Sequence, residues 1–444
     1  MTLKLRAFRE RFYGCLQRRG DALFELCDAV LSAGSVPSPP HLSLAPIHRR
    51  GWGSLYAALS KGRIDAEALR ELLVSYGPLE EGTPVYAVDV SAWPRCDAES
   101  SPKRGYLYHP SRHSAGQPIV AGWAYQLVAQ LGFERDSWVT PVDARRVEPQ
   151  EDTGKVAAEQ VREFISRLPE RDVAPLFVFD AGYDPVLLQL ELGESAAQIL
   201  VRLNSGRTFY FVPQPQPKRP VGHPRTHGEK FDLKDPETWP EPTREHHRLT
   251  DAYGSVRVRA WSGLHPETRR AKERYGSESA CVVKGTVVLV EVGRLPQGER
   301  RREPKALWLW WTGEGEPDLD LLWRSYCRRF SLEHGIRFLK QALHWTAPRV
   351  RHPEQADRWS WLVLGAYSQL RLARGIVADR RLPWERPLPM EKLSPTRVLR
   401  SFVTLLPLVG TPAEAPKPRG RSPGRPKGSF SGHAKRYPAI KKAA

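Results

Sequence analysis

Three carboxylates stand where acids are costly or conspicuous. Asp89 is embedded in the apolar run VYAVDV, Asp180 ends LFVFD, and Glu333 is the single acid in SYCRRFSLEHGIRFLKQALHW (325–345), among Arg328, Arg329, Arg337 and Lys340. A carboxylate inside or at the tip of a buried strand is unfavourable unless it is paired or binds a cation. Three of them around a small space make a site for Mg²⁺, a hard, oxygen-seeking ion that keeps waters and binds phosphate. Two such ions activate a water or a 3′-OH and stabilise the leaving oxygen of a phosphodiester. Asp180, followed by AGYDP, reads equally well as a turn or helix cap. That reading is weaker for Asp89.

On a helix at about 100° per residue, Tyr326, Arg329, Glu333, Arg337 and Lys340 fall within one sector of roughly 80°. Leu332, Ile336, Leu339 and Leu343 lie along one shoulder of it, Trp323, Phe330 and Phe338 toward the other, and Arg324, Arg328 and Ser331 on the far side. A solvated counter-ion belongs opposite the apolar residues. Glu333 instead sits between them. Helix pattern alone leaves open the plainer alternative, Arg329–Glu333–Arg337 as i,i+4 ion pairs worth a few tenths of a kcal/mol each.

The elements that must position these residues follow from pattern. TPVYAVDVSAW (83–93), QPIVAGWAYQLVAQL, SWVTPVDARRV, PLFVFDAGYD (175–184) and AQILVRL (197–203) read as strands, and KVAAEQVREFISRL (155–168) as a helix. Strand, helix, strand in that order implies parallel pairing. Residues 1–80 form a small helical module, with helical spacing in DALFELCDAVLSAG and DAEALRELLVSYG split by SVPSPPHLS. From 205 to 312 the character changes: prolines in VPQPQPKRPVGHPRTHG exclude a central strand, while ACVVKGTVVLVEVG and ALWLWW are antiparallel-type strands. Helix resumes near Asp318 and continues after APRVRHP as EQADRWSWLVLGAYSQLRLARG. The fold class is α/β: a mixed sheet flanked by helices spans 81–204 and 313–410, interrupted by the β-rich insertion. The tail 411–444 holds nine Lys/Arg, one acid and six prolines, and is expected to be disordered when free.

Composition narrows the partners. With 68 Lys+Arg against 50 Asp+Glu, the formal charge of +18 favours a polyanion. No apolar run reaches the roughly 18–20 residues of a spanning helix, and MTLKLRAFRERF lacks the core of a signal peptide, so a soluble cytosolic protein is expected. Five cysteines, at 15, 27, 96, 281 and 327, form no C-x-x-C pair and suggest reduced thiols. His109, His113, His246 and His247 lack metal-ligand spacing, and no P-loop is present. SPGRPKG (422–428) looks like an AT-hook core, with Arg425 and Lys427 at a narrow minor groove, although a generic basic tail reads nearly as well. VGHPRTHG (221–228) is a basic insertion loop, and Trp308, Trp310 and Trp311 are better read as core than as a stacking site for a base.

The helix spacing is specific. Tyr326, two residues, Arg329, three residues, Glu333, six residues, Lys340 resembles the Y-R-E-K signature of a subgroup of DDE transposases from bacterial insertion sequences. Asp89 and Asp180 are similar to that family's first and second acids. The resemblance covers about 83–375 and departs from the pattern at DAGYD, where relatives commonly carry a basic residue and this chain has Asp184 as a spare acid. It implies an RNase H-like domain with a β insertion, in which Asp89, Asp180 and Glu333 hold two Mg²⁺ ions (Mn²⁺ can substitute). Arg329, Arg337 and Lys340 then grip phosphates, and Tyr326 packs against or bonds the DNA backbone. It also implies double-stranded partners, the element's terminal inverted repeats and the target DNA, bound by a homodimer in the bacterial cytoplasm or nucleoid, with residues 1–80 binding the ends. Two further readings remain: a domesticated endonuclease and a catalytically inactive DNA-binding descendant. The joint presence of all three acids argues against the latter.

Overall fold

The computed structural model describes residues 2–34, 38–78, 82–109, 116–134, 136–169, 172–193, 195–213, 225, 227–267, 283–296, 306–418, 424, 426–429 and 432–442. The architecture is mixed α/β, with a large mixed sheet flanked by helices. Two compact units divide the chain, Met1–Leu79 with Val90–Glu151 and Ser331–Ala444, and Glu80–Asp89 with Asp152–Phe330. Strand β1 (Val85–Pro94) and the long helix α8 (Leu319–Gln341) each begin in the second unit and end in the first.

In the first unit, α1 (Thr2–Gly14), α2 (Gly20–Ser32), α3 (Pro39–Leu42), α4 (Trp52–Lys61) and α5 (Ala66–Ser75) precede the sheet. Helix α1, not singled out by pattern, buries Leu5, Phe8, Arg9 and Phe12 at i, i+3, i+4 and i+7. Strand β3 (Ile119–Leu131) pairs antiparallel with β2 (Gly105–Tyr108) and β4 (Val139–Val147) and lies beside the end of β1. Helix α9 (Pro353–Ala373) is buried all round from Trp359 to Leu370, and it packs on α1, α2 and β4. Trp93, Trp123, Tyr125 and Trp345 interlock with ring centroids 5.8–6.4 Å apart.

In its described part the tail makes hydrogen bonds to this unit. After α10 (Pro395–Phe402) and α11 (Leu406–Val409), Arg49 Nη2 donates to the Ala413 carbonyl at 2.9 Å. Further on, Tyr437 N–H donates to Glu99 O and Ile440 N–H to Arg104 O, both at 2.7 Å. Main-chain hydrogen bonding needs no apolar side chains, so composition alone does not reveal it. Lys427 is exposed; Arg425 and Cys281 lie outside the described residues.

In the second unit, β1 pairs parallel with β5 (Leu176–Phe179), and β5 pairs parallel with β6 (Gln198–Leu203). The crossovers contain α6 (Thr153–Ile165), capped by Asp152, and α7 (Pro185–Leu192). Beyond β7 (Thr208–Tyr210) and β8 (Lys230–Asp232), β9 (Arg244–Thr250), β10 (Gly254–Pro266), β11 (Gly285–Val292) and β12 (Ala306–Thr312) are antiparallel neighbours. β12 returns to pair antiparallel with β6, so these strands extend the same sheet. Phe209, Phe231, Trp261, Trp308 and Trp310 form their common core, and Trp311 is 4% exposed, so the tryptophans pack inside.

Candidate active site

Strand β1 buries Val85, Tyr86, Ala87 and Val88 and then surfaces at Asp89. β5 does the same, with Leu176–Phe179 buried and Asp180 immediately after. The register pairs Val85 with Leu176, Tyr86 with Phe177 and Ala87 with Val178. Continued by two residues, it sets Asp89 beside Asp180, on strands about 4.8 Å apart. Two acids 91 positions apart in the chain thus emerge together where two neighbouring interior strands both stop being apolar.

The loop after β5 shapes the second acid. Asp180 Oδ1 accepts the Gly182 N–H at 2.8 Å. A Cβ on Gly182 would lie 3.0 Å from that same oxygen, so a side chain there would press on the carboxylate. Tyr183, 6% exposed, sits beneath the pair: burial first, then the charges of Asp89 and Asp180, push its hydroxyl well above the ordinary tyrosine value, with Arg329 opposing. Asp184 is not spare. It caps α7 by accepting Val186 N–H at 2.9 Å and Leu187 N–H at 3.2 Å, and it pairs with Arg207 at 3.5 Å.

Helix α8 supplies the cation. Arg329 is 4% exposed, and its Nη1 lies 3.4 Å from Asp89 Oδ2. Its guanidinium is 5.0 Å from the Phe330 ring centre and 5.7 Å from that of Tyr326. Tyr326 departs from expectation: at 1% exposure it reaches no solvent and backs Arg329 from inside. Burial raises its hydroxyl, opposed by Arg329 and Arg202. The far side of the helix is not a solvent face either. Ser325 and Ser331 are buried, Arg328 is half-buried beside Tyr253, and Phe330 is 44% exposed, because α8 is covered on more than one side.

Along the continuation of α8 in the first unit, Glu333 and Arg337 are exposed and Lys340 is half-buried. The structure therefore brings together Asp89, Asp180, Arg329, Tyr326 and Tyr183. Among the described residues no three His, Cys, Asp or Glu side chains are gathered to hold a metal ion. The two aspartates suit a hard divalent ion, since both offer only oxygen and the nearest thiol on the helix, Cys327, is held protonated by burial, its pKa pushed up to about 11. Pattern reading missed Tyr183, Gly182, Arg202 and Arg207. Only Tyr183 and Gly182 had a visible signal, their place directly behind a strand-end acid.

A family model for the DDE superfamily endonucleases matches residues 11–267, more than half of the 444-residue chain, and both aspartates lie inside the match. The chain belongs to the DDE superfamily endonucleases. No curated protein matches it in sequence. In this DDE endonuclease the match ends before α8, so Glu333, Lys340 and the rest of the helix signature rest on their own spacing and geometry. None of its described helices is long and apolar enough to cross a membrane.

Proposed function

We propose that this DDE endonuclease is a transposase of the Y-R-E-K subgroup that cleaves and rejoins phosphodiesters at insertion-sequence ends, by cut and paste. The observation that carries the reading is the parallel register of β1 and β5, which, continued by two residues, sets Asp89 beside Asp180. Glu333 is the third acid, one helical turn beyond Arg329 on the same side of α8. Two divalent ions, Mg²⁺ or Mn²⁺, would be held by Asp89 and Asp180, with Glu333 as the third ligand on loading, and would supply an activated water or 3′-OH and a stabilised leaving oxygen.

The chain's own residues do the rest. Buried strands fix the carboxylates, so little freedom is lost when the site is loaded. Arg329 neutralises Asp89 at rest and, with Arg337 and Lys340, meets phosphates when DNA is present. Tyr326 acts from behind, through Arg329. The partners are the element's terminal inverted repeats and a target duplex, engaged by a homodimer in the bacterial cytoplasm or nucleoid, with residues 1–80 on the ends. Arg425 and Lys427 of the tail reach the minor groove. The test is cleavage of a fragment bearing the element's own ends with and without Mg²⁺. Cutting at the ends that requires the ion supports the reading, and absence of cutting with either Mg²⁺ or Mn²⁺ rejects it.

A further inference from the structure

In the first unit, two turns bring basic side chains to the rim of one cleft. The α1–α2 turn carries Arg18, the last residue of α4 is Lys61, and the α4–α5 turn carries Arg63. Paired backbone hydrogen bonds join them: Arg18 N–H to Arg63 O at 3.2 Å and Arg63 N–H to Arg18 O at 3.1 Å. Asp65 N–H to Cys15 O and Gln17 Nε2 to Asp65 Oδ2, both at 2.8 Å, extend the tie by one more step. Gly62, between the two basic residues, is required by contact. A Cβ there would lie 2.3 Å from the Ala58 carbonyl oxygen and 3.0 Å from Leu23 Cδ1. The turns are held against each other by main chain, and their side chains project from a fixed base.

Three exposed cations meet at this cleft. Arg18, Lys61 and Arg63 are exposed, and no described residue forms a salt bridge with any of them. Elsewhere in this unit arginines are engaged, as Arg70 is with Asp143 and Arg146 with Asp357. Of the acids lining the cleft, Asp357 is committed to Tyr125 at 2.6 Å and to Arg146 at 2.9 Å, which leaves Glu354 against the three rim cations and Arg358. The cleft is open and encloses about 830 Å³, far more than one phosphate fills.

We propose that this cleft is a second grip on double-stranded DNA, in which Arg18, Lys61 and Arg63 take backbone phosphates. It rests on the reading of the protein as a DNA-processing enzyme. Contacts of this kind add affinity and orientation without reading sequence, and each releases a counterion. The experiment uses the full chain, without divalent ions so that no cleavage occurs, and a 40-base-pair duplex titrated over a range of salt concentrations. The combined variant Arg18→Ala, Lys61→Ala, Arg63→Ala should reduce the slope of log affinity against log salt by about two to three, at ~0.9 per phosphate contact. Affinity near 0.1 M salt should fall by roughly ten- to several-hundred-fold with the melting temperature unchanged. The control Arg162→Ala, Lys284→Ala, Lys392→Ala removes the same net charge outside residues 1–80 and should leave the slope within about one unit of wild type. An unchanged slope in the cleft variant, or an equal fall in the control, overturns the inference. Wild-type protein that binds no duplex overturns the functional reading itself and the cleft with it.

Discussion

Two arginines in this chain are buried against an aspartate, and the two pairs are built to opposite ends. Arg9 and Asp28 are 2% and 1% exposed in their side chains and meet in a two-pronged contact of 2.7 and 2.9 Å. Arg9 also donates to Gln369 Oε1 at 2.5 Å and to Gly410 O at 2.8 Å, and it lies 4.8 Å from the Phe24 ring centre. Burial pushes the Asp28 carboxyl up, and Arg9 pulls it back. Arg329 is as deeply placed, its Nη1 approaches Asp89 Oδ2 at 3.4 Å, and Asp89 remains 18% exposed. The first pair satisfies the geometry of a fork on a carboxylate. The second contact is longer and leaves its acid partly in water. A closed pair holds a fold; an acid that keeps a share of solvent can also meet a ligand.

The sharpest way to break this comparison is to neutralise the acid on the loose side. Asp89→Asn and Asp180→Asn should each lower metal-dependent cleavage by at least about a thousandfold, more than ~4 kcal/mol in the barrier, with the metal-free melting temperature near wild type. Cleavage retained by either variant removes that residue from the site. Next in size, Arg9→Ala leaves a buried, unpaired carboxylate and should cost about 3–5 kcal/mol in urea denaturation. Much of that should return in Arg9→Met with Asp28→Leu. A loss below ~1 kcal/mol in the single variant would mean that the two pairs are alike after all.

Smaller effects sharpen the division along α8. Arg329→Ala and Lys340→Ala should lower cleavage by roughly ten- to a thousandfold. Lys340→Ala should change stability by less than about 0.5 kcal/mol. Were Lys340 merely a distant counter-ion to Glu333, seven residues and about 10 Å away, cleavage would not change. The smallest effect is expected at Arg324, half-exposed and paired with Asp320 at 3.1 Å, where alanine should alter both rate and stability negligibly. Arg324 is a better control than Arg328, which the helix packing half-buries.

The same comparison marks how far sequence reading reaches. An acid in an apolar run is the signal that singled out Asp89, and it applies equally to Asp28 in FELCDAV. What separates them is the partner. Arg9 is 19 residues from Asp28 and comes with Gln369 and Gly410, whereas Arg329 is 240 residues from Asp89. Local pattern carries no record of such distances. The strands that bury one or both faces, such as those at 85–94, 119–131 and 176–179, were legible from their apolar alternation or runs. β9, REHHRLT, was not, because nearly all its side chains are exposed and only its backbone bonds to β10 make it a strand. Likewise the spacing located Tyr326 on the right helix but not its depth, since a helix covered on several sides has no polar face to read.

The contacts of Arg9 also carry a consequence for synthesis. Its partners Gln369 and Gly410 lie 360 and 401 residues downstream. At about 5–20 residues per second, the guanidinium of an emerging α1 must wait roughly 20–80 seconds before the last of them leaves the ribosome. Until then Arg9 has Asp28 but lacks two of its acceptors, and the amino-terminal helices lack the α9 surface they pack on. Expressed alone, residues 1–80 should therefore remain largely unfolded, whatever the helical spacing of their sequence. A chain cut short before Gly410 would leave its own beginning incomplete, so the ribosome's last stretch of work decides whether the first stretch folds.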